Sequence, residues 1–187
     1  YKRQDHISAV RRRTAVRLAA QVRPELAALA MPHAQLEFSV EPAPMGPRGA
    51  DSVTIMLAAN PGSDPVPLAK AASGGELSRV RLALEVVAAQ TQTPQTFVFD
   101  EIDSGVGGAV GIEIGRRLRQ LARRHQVIVV THLAQVAAFA DTHVVITKAS
   151  DGAVTSSGLR EVIGADREIE LSRMMSCLLY TSPSPRD

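Results

Sequence analysis

Thr96-Phe97-Val98-Phe99-Asp100-Glu101 constrains this chain more than any other stretch: an apolar run stops abruptly at two adjacent carboxylates. The run is too short for a helix and reads as a buried strand. In open α/β folds the C-terminal strand edge is where ligands bind, so a strand ending in acids places them there. Val127-Ile128-Val129-Val130-Thr131-His132 repeats the arrangement, with a histidine delivered to the same edge. Asp100 could hold a magnesium ion through water, and Glu101 could orient or deprotonate an attacking water. Taken singly, each segment also fits a plainer reading: a solvated strand end for the acids, a structural role for the histidine.

The surroundings of these two runs set the fold class. A helix is expected at about 75–90, with Leu77, Val80, Leu84 and Val87 on one face, and further helices at about 108–124 and 133–140. A third apolar strand follows at Val144–Thr147, and Arg167–Met175 again reads as helical. Apolar strands alternating with helices predict an α/β fold with a mostly parallel sheet covered on both faces. Two glycine-rich segments flank the acidic strand. Ala72-Ser73-Gly74-Gly75-Glu76-Leu77-Ser78 opens a helix, where free N–H groups and the positive dipole end favour an anion, and Ser73 can donate to a phosphate oxygen. The same turn is also an ordinary helix cap. Ile102-Asp103-Ser104-Gly105-Val106-Gly107-Gly108 follows the acids. His6, His33, His125 and His143 have no comparable setting.

The first third of the chain differs in texture. Residues 3–30 read as one helix, with Ile7, Val10, Thr14, Leu18, Val22, Leu26 and Leu29 at spacings of three and four; Pro24 is expected to kink or interrupt it. Gln35–Val40 and Val53–Leu57 alternate as an antiparallel strand pair, with loops expected at 41–50 and 60–69. The net charge of +2 does not diagnose a nucleic-acid binder, but residues 1–23 hold seven cations against Asp5 alone. The Arg11-Arg12-Arg13 cluster fits either a solvated coiled-coil face or a phosphate-contacting surface. Apolar residues at 45% and charged ones at 21% favour a folded chain. No apolar run is long enough to span a membrane, and the single cysteine, Cys177, excludes an internal disulfide.

Cys177–Asp187 breaks with everything before it. It has no periodicity and back-translates readily to a transposon-end sequencing adapter read in frame. Residues 177–187 are therefore expected to be a non-native tail, with the chain's own sequence cut off near Ser176.

Order and spacing join the segments. Signature turn and helix, strand-Asp-Glu, glycine loop and helix, then strand-His is the layout of the ATP-binding cassette class. A transporter domain would usually carry Gln at the end of the signature and Pro after the acidic pair; here stand Glu76 and Ile102. With Asn60-Pro61-Gly62, Leu68 through Arg79, Asp100 through Gly108 and Thr131-His132-Leu133-Ala134-Gln135-Val136-Ala137, the chain closely resembles the RecN family of bacterial SMC-like DNA double-strand-break repair ATPases.

The resemblance covers about residues 1–176 and implies a C-terminal fragment. Residues 1–33 would be the end of a coiled-coil arm, and residues 34–176 the C-terminal lobe of the ATPase head. The family's N-terminal lobe supplies the P-loop, whose lysine follows a glycine in G-x-x-x-x-G-K-[ST]. The three lysines here follow Tyr1, Ala69 and Thr147, so this chain has no P-loop. The implied cofactors are ATP and Mg2+. Asp100 would be the metal residue, Glu101 would position the hydrolytic water, and His132 would contact the γ-phosphate within its own head. Ser73, Gly74, Gly75 and Glu76 would close over ATP on a second head, with Asp103 at the head–head interface. The implied partners are the missing N-terminal lobe, a second head and, through the full-length protein, DNA, with no membrane; the implied location is cytoplasmic and nucleoid-associated. The fragment alone would be inactive. Another SMC-like cassette ATPase and a non-enzymatic dimerisation module remain the alternatives.

Overall fold

The computed structural model describes residues 2–71, 73–89, 93–150 and 155–175; the expected tail at 177–187 and Cys177 lie outside them. Helix α1 spans Lys2–Ala28 and passes through Pro24 without interruption. A proline ring removes one helical hydrogen bond, but Val22, Leu26 and Leu29 on either side of it are wholly buried and hold the turn in place. The helix stops at a left-handed residue, Ala30 (φ 62°), where the Met31 N–H donates to the Leu26 carbonyl at 2.9 Å, a Schellman-type ending. The other end of α1 is not seated on the core: Ile7, Val10 and Val16 are exposed.

β1 (Gln35–Gly46) and β2 (Gly49–Ala58) form a long antiparallel hairpin, registered from Gln35 opposite Ala58 to Gly46 opposite Gly49. The loop expected at 41–50 is therefore mostly strand. Pro42 and Pro44 are tolerated because they lie where the register shifts, between Pro42 and Gly46. The expected loop at 60–69 likewise ends in a short strand, β3 (Val66–Pro67), paired to β2, and one helical turn, α2 (Leu68–Ala71).

The α/β part follows the sequence more closely. Helix α3 (Gly74–Ala88) precedes β4 (Thr96–Phe99), helix α4 (Gly108–Ala122) precedes β5 (Gln126–Val129), and helix α5 (Ala134–Ala137) follows. β4 and β5 pair in parallel, Thr96 opposite Gln126 through Phe99 opposite Val129. Helix α3 turns Val80, Leu82, Ala83 and Val86 inward, while Leu77, expected on the buried face, is exposed. Phe97 and Phe99 meet this face along with Ile102, Ile114, Leu118 and Leu121 and the α1 residues Val22 and Leu26. The opposite side of the pair is uncovered: Val98, Ile128 and Val130 are about half exposed. Among the described residues parallel pairing is thus confined to β4 and β5, and one face of that pair, not both, is covered.

β6 (His143–Ser150) does not extend that pair. It forms an antiparallel hairpin with β7 (Thr155–Val162), a strand that apolar patterning does not signal because only Leu159 and Val162 are apolar among residues 158–162. Helix α6 (Gly164–Met174) follows, and Arg167 ties it to α5 by donating to the carbonyls of Ala138 (3.1 Å) and Ala140 (2.7 Å). Gly115 of α4 lets Phe139 pack flat against the helix; a Cβ there would lie 2.2 Å from the ring. Arg117 links α4 to α1 through Glu25 at 2.7 Å and also holds Glu113 at 2.6 Å.

Candidate functional site

The signature turn, the acidic loop and the β5 end meet at one edge. Ser73 is the N-cap of α3 and forms a reciprocal box with Glu76: the Ser73 backbone N–H donates to Glu76 Oε2 at 3.0 Å, its hydroxyl donates to the same oxygen at 3.1 Å, and the Glu76 N–H donates to Ser73 Oγ at 3.4 Å. The box satisfies helix-end donors that would otherwise be unpaired. Gly75 is required by close approach: a Cβ there would meet Ser104 Cβ at 2.9 Å and the Glu101 and Ser104 carbonyl oxygens at 3.1 Å, whereas one on Gly74 would meet only the movable Glu101 Oε2, at 2.9 Å. The signature turn and the acidic loop are thus packed against each other within one lobe.

Two side chains of the same helix hold that loop. Ser78 Oγ donates to the Asp100 carbonyl at 2.9 Å, and Arg79 donates to the Ser104 carbonyl at 3.0 Å. Arg79 is buried. Desolvation pulls its guanidinium below the ordinary arginine pKa, and the Glu76 charge opposes the shift. These residues stand in the recognised motif, yet no role was read for them. The signal was their position one helical turn beyond the glycines, on the side facing the acids.

Asp100 and Glu101 are both exposed. The Glu101 N–H donates to Asp100 Oδ1 at 2.9 Å, and Glu101 itself adopts a left-handed backbone (φ 56°), uncommon for a residue with a side chain. Ile102, with no exposure, pins the loop beneath them. An open pair of carboxylate oxygens suits a hard, oxygen-seeking cation such as Mg2+, held with several of its waters. Among the described residues no group of three or more acidic, His or Cys side chains is assembled into a complete metal cage.

Asp103, expected at a head–head interface, has a side chain only 3% exposed, with its carboxylate engaged within this chain. Oδ2 accepts from the Thr131 hydroxyl and from the backbone N–H groups of His132 (3.0 Å) and Leu133 (3.3 Å), and His132 Nδ1 lies 3.1 Å from the same oxygen. These donors at the neighbouring strand end turn the carboxylate inward. The His132 ring itself is 73% exposed. His125, by contrast, is buried, with its ring edge-on to Phe97 at 5.2 Å and Nδ1 accepting from the Gln95 N–H, which fits a packing role.

A second polar cluster lies at the root of α1. Asp51 of β2 accepts from Ser8 Oγ (2.7 and 2.9 Å), Gln4 (3.2 Å) and Arg11 (2.8 Å), and Arg11 also donates to the Arg48 carbonyl at 2.8 Å. Hydrogen bonds from Ser8, then from Arg11, hold the Asp51 carboxyl below its ordinary pKa. Of the three consecutive arginines, Arg11 is therefore committed to the protein, while Arg12 and Arg13 are exposed.

The fold is that seen in structures of SMC head domains. The chain matches an SMC ATPase chain from work on ATP-driven dimerization and DNA stimulated activation of SMC ATPases, with a TM-score of 0.54 at 20% identity over 90% of this chain and 97% of that one. It also matches the Smc head domain with a coiled coil and joint from Pyrococcus yayanosii, with a TM-score of 0.61 at 22% identity over 87% of this chain and 30% of that one. No protein-family profile matches. The sequence is more particular: it is 51% identical to the DNA repair protein RecN of Streptomyces coelicolor over 89% of this chain, and 48% identical to that of Mycobacterium leprae over 92%. RecN of Xylella fastidiosa is 46% identical over 69% of it. The resemblance to RecN read from the motifs is thereby shown. The chain spans about a third of the length of the first two relatives and 23% of the third.

Proposed function

We propose that this chain is the signature-and-acid half of a RecN-type ATPase head, acting in double-strand-break repair when joined to a P-loop lobe and paired with a second head. One observation supports the reading: the turn at Ser73–Glu76 packs on the loop of Asp100 and Glu101, and Asp103 of that loop holds the His132 backbone N–H, so all the motif residues lie along one edge; the sharing of the site between two heads is taken from the resemblance to RecN. In the proposed division, residues 1–33 end the coiled-coil arm, residues 34–176 form the lobe, and residues 177–187 are not native. The uncovered face of Val98, Ile128 and Val130 is a fitting seat for the missing lobe.

Each residue's part follows from its setting. Asp100 would hold Mg2+ through water, and the cation would supply charge neutralisation on the phosphates. Glu101, exposed beside Asp100, would accept a hydrogen bond from the attacking water and aim it. His132 would donate to the γ-phosphate in its own head. Ser73 and the N–H groups of Gly74 and Gly75 would close on ATP held by the second head, after the Ser73 hydroxyl leaves Glu76. Catalysis of this kind is positioning and electrostatics applied to a phosphoryl group. Pairing and release of heads would move the arms, and α1 would transmit that motion through the Asp51 cluster. Contact with DNA would belong to the full-length protein, which would work in the bacterial cytoplasm at the nucleoid.

The test is complementation. This chain alone is expected neither to bind ATP tightly nor to hydrolyse it, and mixing it with the P-loop lobe should restore magnesium-dependent hydrolysis. Hydrolysis at ordinary rates by the chain unaided would overturn the reading.

A further inference from the structure

We infer that Asp103 is a positioning residue for His132, with Thr131 as its partner, so that one buried carboxylate sets both the acidic loop and the histidine. The inference rests on the proposal that His132 contacts the nucleotide. Three donors converge on Asp103 Oδ2 and anchor the loop: the Thr131 hydroxyl and the N–H groups of His132 and Leu133. The His132 ring is brought to the same oxygen, with Nδ1 3.1 Å away. That ring is 73% exposed, and nothing in its burial requires the approach. A carboxylate that is 3% exposed, tied to the His132 backbone N–H and facing its ring nitrogen, favours one orientation of a ring otherwise free to turn.

The approach also bears on the ring's chemistry. A carboxylate oxygen 3.1 Å from Nδ1 favours a hydrogen on that nitrogen, since two lone pairs would repel, and leaves Nε2 as the atom offered to a ligand. When the ring is singly protonated, Nε2 accepts, as from a water. When it is doubly protonated, Nε2 donates, as to a phosphate oxygen. In both states Asp103 keeps the ring in place, the relation by which a third group orients a catalytic base. Thr131 completes the arrangement: its hydroxyl donates to Asp103 while accepting from the Leu133 N–H at 3.1 Å, so it has one direction left in which to point. Asp103 lies two residues beyond Glu101, across the fully buried Ile102. A shift of the loop that moves Glu101 therefore pulls on His132 as well.

The experiment is a double-mutant cycle in the full-length protein, which carries its own P-loop, reading kcat and KM for ATP with thermal melting alongside. Asp103→Asn keeps an acceptor for the backbone N–H groups but removes the charge that faces His132 Nδ1. It is expected to lower kcat about tenfold with KM for ATP little changed, and Asp103→Asn with His132→Ala should be no slower than His132→Ala alone. Thr131→Ser, which keeps the hydroxyl, should retain wild-type turnover. Additive losses in the double variant would mean that Asp103 serves only the fold and would overturn the inference while leaving the functional reading intact. If His132→Ala turns over at the wild-type rate, the reading of His132 fails and the inference fails with it. Should Asp103→Asn not fold, Thr131→Val carries the same cycle: a loss of kcat that vanishes in the His132→Ala background supports the inference, and one that persists overturns it.

Discussion

Asp51 at the root of α1 and Asp103 at the sheet edge are both 3% exposed at the side chain, and each gathers several donors. They differ in what surrounds them. Asp51 joins elements far apart in sequence, and its donors include a guanidinium, so its charge is compensated permanently. Asp103 joins two neighbouring strand ends through a hydroxyl and backbone N–H groups, none of them charged, and the His132 ring 3.1 Å away is the nearby group that can take up a positive charge. The comparison teaches that a buried carboxylate does not by itself mark a site. The arm root is closed by an ion pair, whereas the edge keeps exposed acids, an exposed imidazole and a left-handed Glu101, the last a conformation that costs stability.

The largest effect expected is at the edge. Glu101→Gln in the full-length protein should cut turnover by about 10²–10⁴-fold while leaving the melting temperature unchanged and trapping paired heads. A large loss of stability instead would show that the edge is structural, like the arm root. Next is Gly75→Ala, whose Cβ would meet Ser104 Cβ at 2.9 Å. Overpacking of this kind costs about 1–3 kcal/mol, so both melting temperature and activity should fall; denaturant melts would show it, and an unchanged midpoint would contradict the packing. Asp51→Asn should do the reverse of Glu101→Gln, lowering the melting temperature while sparing kcat at saturating ATP.

The smallest effect is a pH dependence. The folded pKa of Asp51 is lowered, so its contribution is fully present above the ordinary aspartate value of about 3.9 and is lost as pH falls through the lower folded value. The difference in melting temperature between wild type and Asp51→Asn should therefore shrink below about pH 4. A difference that stays constant to lower pH would remove the ionised carboxylate from the account of the arm root.

The edge was legible in the sequence because strand-end acids and a strand-end histidine are local patterns, and α3, β4, α4 and β5 fall close to where periodicity puts them. What was not legible is what depends on contacts between segments. Asp103 stands in a glycine-rich loop that by itself gives no sign of burial, yet the neighbouring Thr131 and His132 draw it inward. Leu77 sits on the expected apolar stripe, yet the face that packs is turned toward Arg79 and Val80. The hairpin at 41–50 was hidden by its prolines, and β7 by its polar residues, since both strands gain order from a partner and not from their own composition. The Asp51 cluster joins residues more than forty positions apart, and nothing local announces it.

The central claim is that one head's acids work with another head's signature turn, and mixing two inactive full-length variants tests it most directly. Ser73→Arg disables the turn, Glu101→Gln disables the acid, and each homodimer should be inactive. In a mixed dimer, one composite site carries both defects and the other carries neither. ATP hydrolysis should therefore reappear on mixing, and a mixture as inactive as its parents, with mixed pairing verified, would contradict the account.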